Sequence, residues 1–111
     1  MIPDPAPPFE VSMSDYLRSQ IAALLQRSYA RGLGDAVFEA ITDIMESLRN
    51  NPSEAGDPIR HLNGMTSMQF RIVRHNLIFH YTVHDRIPMV TIWRFNLASK
   101  HPLAPPPPNG D

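Results

Sequence analysis

Apolar residues recur along this chain with two different periods. Leu17, Ile21, Leu24, Leu25 and Ser28 fall at helical spacing and predict a helix over about residues 14–30. Val37, Ile41, Ile44, Met45 and Leu48 do the same over about 35–50, with Asp35, Glu39, Asp43 and Glu46 as an acidic stripe on the far side. Gly32 and Gly34 permit the reversal between the helices, and Asn51-Pro52 ends the second, because a residue before proline disfavours α geometry. Ahead of the helices, Phe9, Val11 and Met13 alternate with Glu10 and Ser12, the signature of a short strand. Ser12-x-x-Asp15 reads as a helix-start signal in which the serine hydroxyl accepts a free backbone N–H.

Late in the chain the period drops to two. Strands are predicted over about 68–74, 77–84 and 89–96. In the middle one Leu77, Phe79, Tyr81 and Val83 face one way, and Ile78, His80, Thr82 and His84 the other. The last is apolar on both faces, Val90 and Ile92 against Met89, Trp93 and Phe95, as a central strand would be. The order β-α-α-β-β-β predicts an α+β fold, two N-terminal helices packed on one face of a small antiparallel sheet. Leu24, Ile41, Ile44, Phe79, Tyr81 and Trp93 are its expected core.

With 111 residues the chain is expected to form one domain. Its ends are proline-rich, with four consecutive prolines at 105–108, so residues 1–8 and 102–111 are expected to be disordered flanks of a domain over 9–101. The start, M-I-P-D-P-A-P-P, lacks the basic and apolar segments of a secretory signal. No apolar run approaches the ~20 residues that span a bilayer. The absence of cysteine rules out disulfide scaffolds and cysteine zinc sites and is compatible with a reducing cytosol. A cytoplasmic location is the resulting expectation.

A net charge of −1 conceals an asymmetry. Residues 1–57 carry four Arg against nine Asp and Glu, whereas 58–111 carry five Arg and Lys100 against Asp85 and Asp111. All five histidines follow residue 60. The split predicts an acidic helical surface and a basic sheet-borne one.

The linking segment N-P-x-x-x-G-x-P-x-R-x-L-x-G, Asn51–Gly64, preceded by Leu48 and followed by the strands, is the distinctive stretch. With that order of elements, Phe9–Lys100 resembles the RelE/ParE superfamily of bacterial toxins. The resemblance implies a type II toxin–antitoxin module, of the kind concerned with plasmid stabilisation. RelE-type members cut mRNA in the ribosomal A site, ParE-type members inhibit DNA gyrase, and a cognate antitoxin restrains either. Arg71 matches the family's strand arginine, and Arg94 lies near its last-strand position. Asn96 stands where the family's histidine would be, and no tyrosine follows it. Lys100 is the only lysine, so the lysine-rich surface of ribosome-dependent members is missing.

These departures bear on chemistry. An amide such as Asn96 does not titrate near neutral pH, and arginine stays protonated, so Arg71 and Arg94 bind phosphate but carry no protons. Proton transfer would fall to a histidine, with His80 best placed, opposite the predicted core, and His75 as the other choice. His80 and His84, four apart on a strand, lie about 13 Å apart and do not share one ion. Neither a metal nor a cofactor is expected.

The resulting expectation is a toxin or toxin-like protein, closer to the ParE branch than to the RNase branch. The alternatives are a non-toxic homologue serving as a protein-interaction domain, and a ribosome-dependent endoribonuclease. Arg71, Arg74, Arg94 and Asn96 are the expected target-binding residues, and Arg71, Arg94 and His80 the catalytic candidates. Expected partners are the cognate antitoxin and either DNA gyrase or the ribosome with its mRNA, with a homodimer as a further assembly.

Overall fold

A computed structural model of the chain describes residues 8–61, 68–84 and 86–104, with the backbone alone at 60–61. The first strand, β1, is Glu10–Met13, and the helix α1, Asp15–Ala30, follows after one residue. Ser14, rather than Ser12, starts that helix. Its extended backbone aims the hydroxyl at the Leu17 N–H, which donates to it at 3.2 Å. Ser12 stays in β1, because the period of two runs through Met13. Leu17, Ile21, Leu24 and Ser28 form the buried stripe of α1, and the Ser28 hydroxyl donates to the Leu24 carbonyl at 2.7 Å. Gly32, at φ +75°, supplies the left-handed turn after the helix, and the Leu33 N–H returns to the Ser28 carbonyl.

Helix α2, Gly34–Asn50, buries Val37, Ala40, Ile41, Ile44 and Leu48. Two elements then appear that periodicity alone did not predict: a single helical turn, α3, at Pro52–Ala55, and a strand, β2, at Asp57–His61. Both fall within the distinctive linking segment. Pro52 occupies the first turn of α3, where its missing N–H is no loss. Leu62 and Gly64, the last quoted positions of that segment, lie outside the described residues.

Strands β3 (Met68–Arg74), β4 (Leu77–Val83) and β5 (Met89–Leu97) complete a sheet of order β1-β5-β4-β3-β2. The pairs β2–β3, β3–β4 and β4–β5 are antiparallel, and β1 joins β5 in parallel, so the sheet is mixed at that edge. The predicted α+β architecture holds, with the helices leading and the strands following. The two-residue β3–β4 turn is His75-Asn76, both at positive φ (56° and 62°), as a tight hairpin of matching twist requires.

The helical stripes close over Phe70, Ile72, Leu77, Phe79, Tyr81, Val83, Val90 and Ile92. Phe70 stacks on Tyr81 with ring centres 5.5 Å apart. Trp93 is not part of this core: it is 42% exposed. It follows the inward-facing Ile92 and so turns to the other face, at the point where the strand also carries a bulge. Tyr81 pairs with Ile92 and His80 with Arg94, which leaves Trp93 without an opposite number. The extra residue reverses the alternation, so Val90 and Ile92 face the helices before it and Phe95 and Leu97 pack inward after it. Phe95 then meets Phe79 at 4.9 Å.

The order at the C-terminal side continues past the expected boundary at 101. Residues 101–104 form a turn, Leu103 packs against the core, and the Arg31 guanidinium donates to the Pro102 carbonyl at 3.4 Å. Residues 1–7 and 105–111 lie outside the described residues. No described helix is long and apolar enough to cross a membrane.

Candidate functional site

The helices cover one face of the sheet, and among the described residues no helix covers the other. Side chains that alternate away from the core therefore assemble on that outer face. On β4 they are Ile78, His80 and Thr82. Arg71 lies directly across from His80 on β3, and Arg94 directly across from it on β5. Opposed residues on paired strands have Cβ atoms about 4.5–5.5 Å apart, so the register places one imidazole between two guanidinium-bearing side chains. Trp93 lies beside them, its ring centre 5.1 Å from that of His80 and tilted by 45°, and the bulge keeps Arg94 on the same face as Trp93.

His80 is half-buried, and its Nδ1 atom is wholly covered with no hydrogen-bond partner. Desolvation lowers its pKa below the ordinary histidine value, and the Arg94 and Arg71 charges lower it further. The imidazole is thus neutral near pH 7 and lies between two cations. Asn96 orients one of those cations. With its amide nitrogen donating to the Phe95 carbonyl at 3.1 Å, its oxygen accepts from Arg94 Nε at 3.0 Å. Asn96 thereby holds a guanidinium that can approach a phosphate. Among the described residues no carboxylate lies within ion-pair distance of Arg71 or Arg94. Asp57, opposite Arg71 on β2, forms no such pair.

Arg74 does not belong to this face, contrary to the sequence expectation. Three residues from Arg71 on a strand, it points to the opposite side. Its Nη1 donates to Asp43 Oδ2 at 3.1 Å and to Ser47 Oγ at 2.6 Å, both on α2. His75 adds a contact to the same carboxylate at 3.3 Å. Hydrogen bonds from Arg74 and His75 hold the Asp43 carboxyl below the usual carboxylate range. One member of the acidic helical stripe is thus tied to the sheet rather than free.

The histidines do not converge. His84 contacts the Thr91 hydroxyl at 3.1 Å. His101 is buried at the rim of an open cleft of about 300 Å³ between α2 and the β3–β4 turn, and its Nδ1 accepts from the Leu103 N–H at 3.0 Å. Among the described residues no three His, Asp or Glu side chains come together as a metal site would need.

The linking segment has a structural role next to the site. The Tyr81 hydroxyl, reaching through the core, donates to the Pro52 carbonyl at 2.6 Å. A Cβ at Gly56 would stand 2.7 Å from both that hydroxyl and the Arg71 carbonyl, so the position admits only glycine without a shift. The N-P-x-x-x-G spacing thus clamps β2 against the backbone of Arg71.

Sequence reasoning brought Arg71, His80, Arg94 and Asn96 to one surface but consigned Trp93 to the core. The signal for the bulge was present. Inward residues are even-numbered through Val90 and Ile92 and odd-numbered from Phe95 to Leu97, and no unbroken strand allows that. No family model, no curated protein and no solved structure matches the chain.

Proposed function

We propose that the chain is a toxin-like protein of the RelE/ParE kind that engages a nucleic-acid target through the outer face of its sheet. The row Arg71–His80–Arg94 on three adjacent strands carries this reading. Two guanidiniums without ion-pair partners among the described residues, one oriented by Asn96, make a phosphate-binding surface on a protein of near-zero net charge. Phosphate contacts of this kind position a nucleic acid rather than read its sequence. Binding without cleavage is the preferred form, because no tyrosine follows Asn96 and Asn96 itself does not titrate.

One observation favours a second reading. His80, neutral between two cations, is a histidine placed where a phosphate would bind, the kind of group that metal-independent RNA cleavage needs for proton transfer.

Titration of labelled RNA and DNA at several salt concentrations tests the proposal. Binding should weaken with a log–log slope of about 0.7–0.9 per phosphate contacted. Arg71→Ala with Arg94→Ala should lower affinity and flatten that slope, whereas Arg74→Ala, on the helix side, should leave it unchanged. Growth arrest on expression, relieved by the product of the adjacent gene, is the cellular counterpart. Absence of nucleic-acid binding at low salt overturns the reading, and scission of RNA that is lost in His80→Gln selects the second form.

A further inference from the structure

We infer that Trp93 is a stacking platform for an unpaired nucleobase, which makes the target of the outer face a single-stranded segment rather than a duplex. The inference rests on the nucleic-acid reading above and adds to it a ligand feature that phosphate binding alone does not require.

Trp93 is a large aromatic on the outer face of the sheet, at a bulge that interrupts the β4–β5 ladder. Following the inward-facing Ile92, it takes the outward direction, and the extra residue keeps Arg94 on that same face instead of turning it inward. The residue is 42% exposed, with its ring tilted by 45° against that of His80. The contact with His80 limits the rotation of the indole, so little freedom is left to lose when a flat ligand lies on it. Arg94 follows Trp93 in sequence, and its guanidinium is tied to Asn96. Arg71 lies two strands over, on the far side of His80. Neighbouring strands are about 4.8 Å apart, so the two arginines arise roughly 10 Å apart across the sheet.

An aromatic ring beside one cation, with a second cation across the sheet, matches a ligand that alternates flat rings with phosphates. In a duplex the base faces are consumed by stacking on one another, so only an unpaired base can use the indole. The surface is sequence-tolerant, because every base offers a π-face. The half-buried Ile78 and the exposed Val73 extend the apolar floor beside the row.

Trp93 is the only tryptophan in the chain, so its fluorescence reports directly on the site. The full chain is titrated with single-stranded RNA and DNA octamers, with the matching duplexes, and with inorganic polyphosphate as a base-free polyanion. Single strands should quench the emission, while duplex and polyphosphate should leave it nearly unchanged. Anisotropy of labelled octamers should show Trp93→Ala weakening single-strand binding about 5- to 150-fold, the equivalent of about 1–3 kcal/mol for one stacked base. Trp93→Phe should recover much of that loss, and the salt slope should be unaltered in both. Trp93→Ala binding as tightly as wild type, or equal quenching by polyphosphate, overturns the stacking role. If the Arg71/Arg94 double variant loses binding while Trp93→Ala keeps it, the nucleic-acid reading stands and the platform falls. If no polyanion binds at low salt, both fall together.

Discussion

Tyr81→Phe removes a single oxygen from the centre of this protein, and the structure fixes what that oxygen does. The side chain is fully buried, and its hydroxyl donates to the Pro52 carbonyl at 2.6 Å. The ring of the variant would keep its stack on Phe70, so the packing contribution is retained. What changes is the Pro52 carbonyl, which loses its donor inside the protein. Leaving a buried acceptor unpaired costs about 1–3 kcal/mol. For a domain of this size each kcal/mol shifts the melting temperature by about 4–8 °C, so a fall of roughly 5–20 °C is expected by circular dichroism or calorimetry. Gly56→Ala provides the cross-check. Its new methyl group meets the Tyr81 hydroxyl and the Arg71 carbonyl, an overpacking that costs about 1–3 kcal/mol. Removing the hydroxyl relieves one of these two contacts, so the double variant should be less destabilised than the sum of the single ones. A second readout is the phenol itself, whose pKa burial pushes up to about 12; absorbance should show Tyr81 ionising well after the ordinary tyrosine range. A Tyr81→Phe melting temperature equal to that of wild type, or strict additivity with Gly56→Ala, would refute the clamp between the linking segment and the sheet.

Two further outcomes follow from the same geometry. Ile44→Ala, at a fully buried position of α2, should cost about 2–5 kcal/mol in denaturant unfolding, and an unchanged midpoint would refute the α2 register. Acid should destabilise the fold through His80 and His101, whose pKa values burial lowers in the native state, with the Arg94 and Arg71 charges acting further on His80. The unfolded chain takes up these protons at about pH 6.5 and the folded chain does so only lower, so stability is complete above that value and falls as pH drops through the window beneath it. His80→Gln with His101→Gln should flatten that slope, and an identical slope in the double variant would show that neither histidine is responsible. Asp43, also depressed, adds a separate loss at lower pH, as the carboxylate takes up its proton.

Periodicity carried most of the architecture. Stripes at three and four residues needed an apolar layer to close over, and the alternation of Leu77 to Val83 supplied one by assigning each side chain of β4 to a face. Local chemistry also foretold the end of α2 at Asn51-Pro52, because the restriction before proline acts within one peptide unit. Arg71, Arg94, His80 and Asn96 were nameable from their strand positions and from the resemblance to a toxin family. What local pattern left open was set by pairing between strands. The bulge exists only because β5 must match β4 on both sides of Trp93, and that match turns Arg94 outward beside Trp93 and Phe95 inward, while Trp93 stays outside because the helices cover the Val90 and Ile92 face. The same dependence on partners explains Arg74. Its charge was visible in the sequence, but its destination on Asp43 and Ser47 required α2 to be laid against the sheet. Residues 52–61 were opaque for a related reason: α3 is a single turn too short to show a period, and β2 is defined by hydrogen bonding to β3 rather than by any alternation of its own. Single-residue preferences set where the chain turns and which faces are greasy; which residues meet is a property of the folded whole.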